Sequence, residues 1–319
     1  MQYSISPSVK IRCVKRSPYR PIVEAIRGIS VASKPSPMMV TLPKPNGAFR
    51  WNQIEGQPAL VCEALEPFAH HFFTTRGWKL GERTPDAANG WLDVAQAAHV
   101  GVEQFGRLQQ VHGRDVVTYK KGERVPAGAV PTADVAITDD PGIAVAVQTA
   151  DCLPLLFVDR QRGAVAAAHA GWRGLAARVP DVTVGRMGAD FGTNPGDLLV
   201  AAGPAIGACC YEVGEDVRNA FAAAGFNDAE LGRWFLADPL TLQDNPPMKS
   251  LPATRRPGHW FFDGWSCVRE QLESAGVPAG QIFLSNVCTA SHDAACCSYR
   301  RDGSRAGRMA GVIKPGLMY

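Results

Sequence analysis

From about Asn46 onward, apolar residues come in short blocks that end in glycine, proline or paired polar residues. The block 68–76 (FAHHFFTTR) predicts a strand, and 77–90 a loop by its glycines and proline. Residues 91–102 (WLDVAQAAHVGV) carry helical apolar spacing. Strands separated by turns are expected at 105–113 and 114–121, and two more in 133–152 around the Asp-Asp-Pro-Gly stretch. After Gly171 the period becomes helical over 175–191, with an interruption at Pro180. A strand is expected at 197–207, helices at 214–226 and 264–276, and strands at 281–289 and 309–318. Residues 227–260 hold several prolines and predict an irregular excursion. No internal repeat is present. Interleaved strands and helices of this kind predict an α+β fold, one continuous domain over 46–319.

A chain of 319 residues with 46% hydrophobic content can bury one large core or two ordinary ones. No apolar run reaches the ~20 residues that span a bilayer, and the N-terminus lacks the compact apolar stretch of a secretory signal. A soluble, cytoplasmic protein is the expectation, with no membrane partner. Nine cysteines agree with it: the count is odd and two pairs are adjacent, Cys209–Cys210 and Cys296–Cys297, unlike a disulfide framework. Buried reduced thiols are expected at both pairs. The net charge of +3 is unevenly spread, with +8 on residues 1–50 and −5 on the rest. A mildly acidic body argues against nucleic-acid binding. Residues 1–45 predict a basic, disordered extension outside the fold. Sequence upstream of a start at Met38 or Met39, or a binding arm, are the other readings.

The stretch 147–174 (VQTADCLPLLFVDRQRGAVAAAHAGWRG) changes the picture from fold to chemistry. Opposed residues of an antiparallel hairpin have a constant index sum. Cys152 and His169 share a midpoint between Arg160 and Gln161, inside the turn-like DRQRG. They are therefore expected to face each other, with Cβ atoms ~5 Å apart. A thiolate and an imidazole so placed can chelate a metal or act as nucleophile and base. Zinc takes both donors and, in catalytic sites, a third protein ligand plus an open position. His112, in QQVHG just before a glycine turn, is the candidate third ligand. The turn HAGWRG (169–174) opens a helix and can aim N–H groups at an anion, with Arg173 adding charge. Asp134 is a candidate carboxylate, and Asp151 is expected to point to the opposite sheet face from Cys152.

Five ordered stretches, QVHG (110–113), TADCLPLLF (149–157), AAHAGWRGL (167–175), GPAIGACCYEVG (203–214) and CTASHDAACCSYRRDG…GRMAGVI (288–313), carry a resemblance. Over roughly 68–317 the chain is similar to the purine nucleoside phosphorylase family formerly labelled laccase-domain or multicopper polyphenol oxidase proteins. The resemblance implies a zinc site of His112, Cys152 and His169, within a layered αββα arrangement of mixed sheets. It also implies phosphorolysis of adenosine, inosine and S-methyl-5'-thioadenosine, with adenosine deamination as a further activity. The expected partners are then a nucleoside and phosphate. In deamination Asp134 is the expected proton shuttle; in phosphorolysis Arg173 and its turn hold phosphate. The chain departs from the family at 77–104, which is shorter and lacks the Asn-Arg pair ahead of QVHG; Arg76 or Arg107 is expected to replace that arginine. Cys296–Cys297 stand where an aromatic pair is usual. Seven histidines with no His-x-His cannot build a multi-copper cluster, although a single copper fits a His2Cys donor set. Two other readings stand beside this one. One is a metal-free cysteine hydrolase acting on an amide such as a misassembled cell-wall precursor. The other is a non-catalytic, zinc-stabilised binding module.

Overall fold

The strands Leu153–Asp159 and Val165–Ala170 are buried at every position on both faces. Such strands must lie inside a stack of layers. In the computed structural model, which describes residues 41–81, 87–125, 130–241, 244–251 and 256–316, they form the centre of a six-stranded sheet. Its order is Ile282–Leu284, Leu198–Ala202, Leu153–Asp159, Val165–Ala170, Val135–Thr138, Val116–Tyr119. The outermost pairs are parallel and the inner ones antiparallel. A second six-stranded sheet runs Phe49–Ile54, Gln57–Cys62, Ala69–Thr74, Met309–Pro315, Ala144–Thr149, Phe105–Gly106, with only its last pair parallel.

Alternation along the strands assigns three apolar interfaces. Leu156, Val158, Val165 and Ala167 turn toward Leu60, Phe73, Val145 and Val147, which packs sheet on sheet. Leu155, Phe157, Ala166 and Ala168 turn the other way, onto the helices Val179–Phe191 and Gly264–Ser274 through Val184, Met187, Val268 and Leu272. On the far side of the second sheet, Phe72, Ala146 and Val312 meet Trp91, Val94 and Ala95 of the helix Ala87–Ala97. Helix, sheet, sheet, helix is the expected αββα order in one domain of mixed sheets.

Several local expectations shift. Residues 135–149 are two strands, but one lies in each sheet, so the Asp-Asp-Pro-Gly turn carries the chain between layers. Pro180 occupies the first turn of a new helix, where its missing N–H costs nothing; the break falls at Arg178, with φ of 60°. The excursion 227–260 is less irregular than its prolines imply. It holds the helix Asp228–Trp234, capped by Asn227 and Glu230, and contributes Phe235–Leu236 and His259–Phe262 to a three-stranded sheet with Glu212–Gly214. Residues 1–40 of the basic extension, and 82–86 of the shortened loop, lie outside the described residues. Ordered packing starts before Asn46: Leu42 packs beside Val287 and Met309, and the Pro43 carbonyl accepts the Trp51 indole N–H at 2.7 Å.

Candidate metal centre

The hairpin turn sits one position later than the index sum predicts. Pro154 pairs with His169 and Leu153 with Ala170, so continuing the register places Cys152 opposite Gly171. The turn is fixed by Asp159, whose Oδ1 accepts from the N–H of Gln161 at 2.8 Å and of Arg162 at 3.0 Å, and by Gly163 at φ 72°. A shift of two in the sum preserves face, so Cys152 and His169 become diagonal rather than direct neighbours. The vacated direct position belongs to a glycine. A Cβ built on Gly171 would lie 2.9 Å from the Cys152 sulfur and 3.1 Å from Cδ2 of His112. The absence of a side chain there makes the cradle.

His112, Cys152 and His169 place one ligand atom each within 4.8 Å of one another, and the two imidazole rings meet edge-on with centroids 4.8 Å apart. His112 stands on a left-handed residue, φ 61°, just beyond the 105–109 segment, and its ring is solvent-exposed. What holds that turn is Asp134. Its carboxylate accepts the N–H groups of Val111 (3.2 Å), His112 (3.0 Å) and Gly113 (2.6 Å), and Nδ1–H of His169 (2.8 Å). One buried carboxylate thus sets two of the three candidate ligands, and it commits His169 to presenting Nε2. Burial pushes the Asp134 carboxyl up, but the His169 and backbone hydrogen bonds outweigh it and hold it below the usual carboxylate range.

Burial likewise opposes the Cys152 thiolate. The positive charge of His169 and hydrogen bonds from His112 and His169 prevail and bring the thiol down to about 6. His169 is the reciprocal case: burial lowers it, while the Cys152 thiolate and Asp134 raise it to about 9. The pair is therefore charge-separated at neutral pH, and a metal would displace the imidazole proton. The soft and borderline donors, the oriented His169 and the side-chain-free cradle at Gly171 fit a zinc-like ion. Copper would also accept this donor set.

Asp151 turns away from Cys152, as strand alternation predicts, and it does so at φ 92°, a costly conformation for a non-glycine residue. Three contacts over-determine it. Its carboxylate accepts the Thr289 hydroxyl and the Arg300 N–H, both at 2.6 Å, and its carbonyl accepts the Ile206 N–H at 2.9 Å. A small cavity of about 30 Å³ adjoins the thiol, lined by Cys152, Gly171, Trp172, Ile206, Tyr211 and Phe262 among others. Arg173 lies 4.2 Å over the Trp172 ring and Arg300 lies 5.0 Å over Tyr211. Burial raises the Tyr211 phenol, while both guanidiniums pull it back, so both act within electrostatic range of the cavity wall.

The structure brings together His112, Cys152, His169 and Asp134, with Arg173 stacked on Trp172 of the cavity lining. Arg76 lies apart from the cavity lining: its guanidinium donates to the Asp293 carbonyl, and its N–H to that of Ala295 at 2.9 Å. Arg107 stacks over Trp91 at 4.7 Å. Tyr211 and Arg300, the latter in the Arg-rich stretch 298–308 that sequence offers as either a phosphate binder or a solvated loop, are 89 positions apart and meet only through the fold. The helix after Gly171 is five residues long, Trp172–Ala176, and the expected helix over 175–191 is split between it and Val179–Phe191.

A layered αββα fold with a His–Cys–His cluster at the ends of two central strands defines a class, and comparison with known proteins supplies the family. A sequence model described as multi-copper polyphenol oxidoreductase laccase matches residues 76–315, and the chain belongs to that family. It is 36% identical to a purine nucleoside phosphorylase of Deinococcus radiodurans over 256 residues, covering 76% of this chain and 88% of that one. With a purine nucleoside phosphorylase of Pseudomonas aeruginosa it shares 42% identity over 207 residues, covering 65% and 72%. Among solved structures, YlmD from Geobacillus stearothermophilus is similar with a TM-score of 0.67 and 31% identity, covering 83% of this chain and 98% of that one. The hypothetical protein YfiH of Bacillus licheniformis gives a TM-score of 0.71 at 26% identity, covering 84% and 99%. Among the described residues, no helix is long and apolar enough to cross a membrane.

Proposed function

We propose that the chain is a zinc-dependent purine nucleoside phosphorylase of adenosine, inosine and S-methyl-5'-thioadenosine, with adenosine deamination as a second activity of the same site. The observation that carries this reading is the His112–Cys152–His169 donor set beside a small cavity, with Arg173 and Arg300 stacked on two of its lining aromatics, Trp172 and Tyr211. Phosphorolysis breaks the glycosidic C–N bond and forms a C1′–O bond to phosphate, so the site must hold a flat purine that leaves, the ribose and a phosphate dianion. Trp172, Tyr211 and Phe262 supply aromatic surface for the base. Arg173 and Arg300 supply positive charge for phosphate. Asp134 acts here as a positioning residue and not as the proton shuttle, because four N–H groups already occupy its oxygens and its carboxyl stays ionised. A zinc ion held by His112, Cys152 and His169 supplies Lewis acidity and a water of lowered pKa. The reading places the catalytic domain at 46–319 with the packed residues 42–45 added to it, and puts the enzyme in the cytoplasm, where its thiols stay reduced.

A second reading is favoured by one observation. A thiol brought down to about 6, beside a raised imidazole that a carboxylate orients, is also the arrangement of a cysteine nucleophile and its base. The substrate would then be an amide. Incubation with adenosine, with and without phosphate, followed by chromatography of the products, separates the two. Phosphate-dependent adenine formation that disappears on metal stripping supports phosphorolysis. No nucleoside turnover, together with amidase activity that survives a chelator, overturns it.

A further inference from the structure

Behind the candidate metal centre lies a second group of sulfurs. Cys209, Cys210 and Cys288 are all fully or almost fully buried, and their Sγ atoms lie within 4.8 Å of one another. We propose that these three thiols form a separate binding site for a soft, thiophilic metal ion, with Cu(I) as the defining chemistry. Three sulfurs bound at ~2.3 Å to one ion stand about 4 Å apart, so the cluster needs to contract by less than about 1 Å. Thiolates select soft cations over the harder ions that carboxylates and water prefer.

The cluster is held as a ligand set should be. The Gly207 N–H already donates to the Cys288 sulfur at 3.3 Å. The Ser291 hydroxyl lies 3.6 Å from Cys209 Sγ and 3.5 Å from Cys210 Sγ, and is anchored on the Pro246 carbonyl at 2.7 Å. Ser291 is partly exposed, so it stands between the thiols and solvent and marks the entry side. Adjacent cysteines reach one ion here because a tight turn at Gly207–Tyr211 folds both sulfurs toward the partner loop, with Tyr211 N–H on the Gly207 carbonyl at 3.0 Å. The two loops are already joined by backbone pairing of Ala205 with Val287 and Thr289.

Occupancy would reach the neighbouring site through named atoms. The loop with Cys209 and Cys210 also carries Ile206 and Tyr211 of the cavity, and Ile206 N–H holds the Asp151 carbonyl. Cys288 precedes Thr289, whose hydroxyl holds the Asp151 carboxylate. An ion bridging the loops clamps both supports of the strained turn that presents Cys152. Binding displaces the thiol protons to solvent and involves no redox step.

The test uses full-length Cys152→Ala protein, which lacks the thiolate of the first site, under anaerobic conditions with Cu(I) and a competing chromophoric chelator. The expected result is one tightly held Cu(I) per chain with sulfur-dominated coordination by X-ray absorption. Adding Cys288→Ser is expected to weaken it at least about a hundredfold. Because a buried Ser can perturb folding, Cys296→Ser in the same background is the matched control; it lies outside the cluster and is expected to retain the ion. Copper that Cys152→Ala fails to hold against the chelator, or that survives Cys288→Ser unchanged, overturns the proposal. Neither outcome depends on nucleoside turnover.

Discussion

A methyl group on residue 171 would meet the Cys152 sulfur at 2.9 Å and the His112 ring at 3.1 Å, while the backbone there, φ −76° and ψ 168°, suits any residue. Gly171→Ala is therefore expected to leave the fold intact and to weaken zinc binding by roughly tenfold or more, measured by chelator competition. Unchanged affinity would mean that the cradle is not where the ion sits. The same register explains what sequence could and could not reveal at this scale. The shared face of Cys152 and His169 was legible, since it depends on parity alone. Their diagonal placement was not, because the two-residue offset is set by how Asp159 caps the turn through the N–H groups of Gln161 and Arg162. Asp134 was legible as a candidate, but its role was not, since its four donors converge only after strands and loop have paired.

Asp134 joins two elements, the left-handed 111–113 turn and the strand Val165–Ala170, through a single carboxylate. Asp134→Asn keeps the size, removes the charge and brings an amide N–H toward groups that are themselves donors. A 10–100-fold loss of metal affinity is expected from this change, with a lowered melting temperature in the metal-free protein. An unaltered dissociation constant would contradict the positioning role. At another junction, His71 on the strand Ala69–Thr74 accepts the Cys62 N–H at 2.9 Å through Nε2. It can do so only when neutral. Burial holds His71 down to about 4, against about 6.5 in an unfolded chain. The folded state then resists protonation that the unfolded state accepts. This contribution is complete above pH 6.5, declines as pH falls, and levels off near pH 4, for a total of about 3 kcal/mol. Urea unfolding at pH 7.5 and pH 5 is expected to show a smaller acid loss for His71→Gln, whose amide oxygen can still accept the N–H; equal losses would count against this assignment. Element identity was legible wherever apolar periods were long, as in Gly264–Ser274. It failed in 227–260, where prolines masked a capped helix and strands that exist only by pairing with Glu212–Gly214.

At the scale of the molecule, three apolar interfaces fill the space between four layers, and none of them passes through the His–Cys–His cluster. The protein is accordingly expected to stay folded when stripped of metal, with its circular dichroism preserved and only the stabilisation due to ligand binding lost. Cooperative unfolding on chelation would favour the zinc-stabilised binding module in place of an enzyme. The layer order itself was legible only through the family resemblance. Composition and period identified buried strands, but not that 135–138 and 144–149 belong to different sheets. The measurement that bears most directly on the whole account is zinc titration of the stripped protein, with bound metal and phosphate-dependent adenine release followed together in wild type and Cys152→Ala. Activity rising in step with a first equivalent of zinc, and absent in the variant, is the predicted result. Full phosphorolysis by metal-free wild type, or by Cys152→Ala, would contradict it.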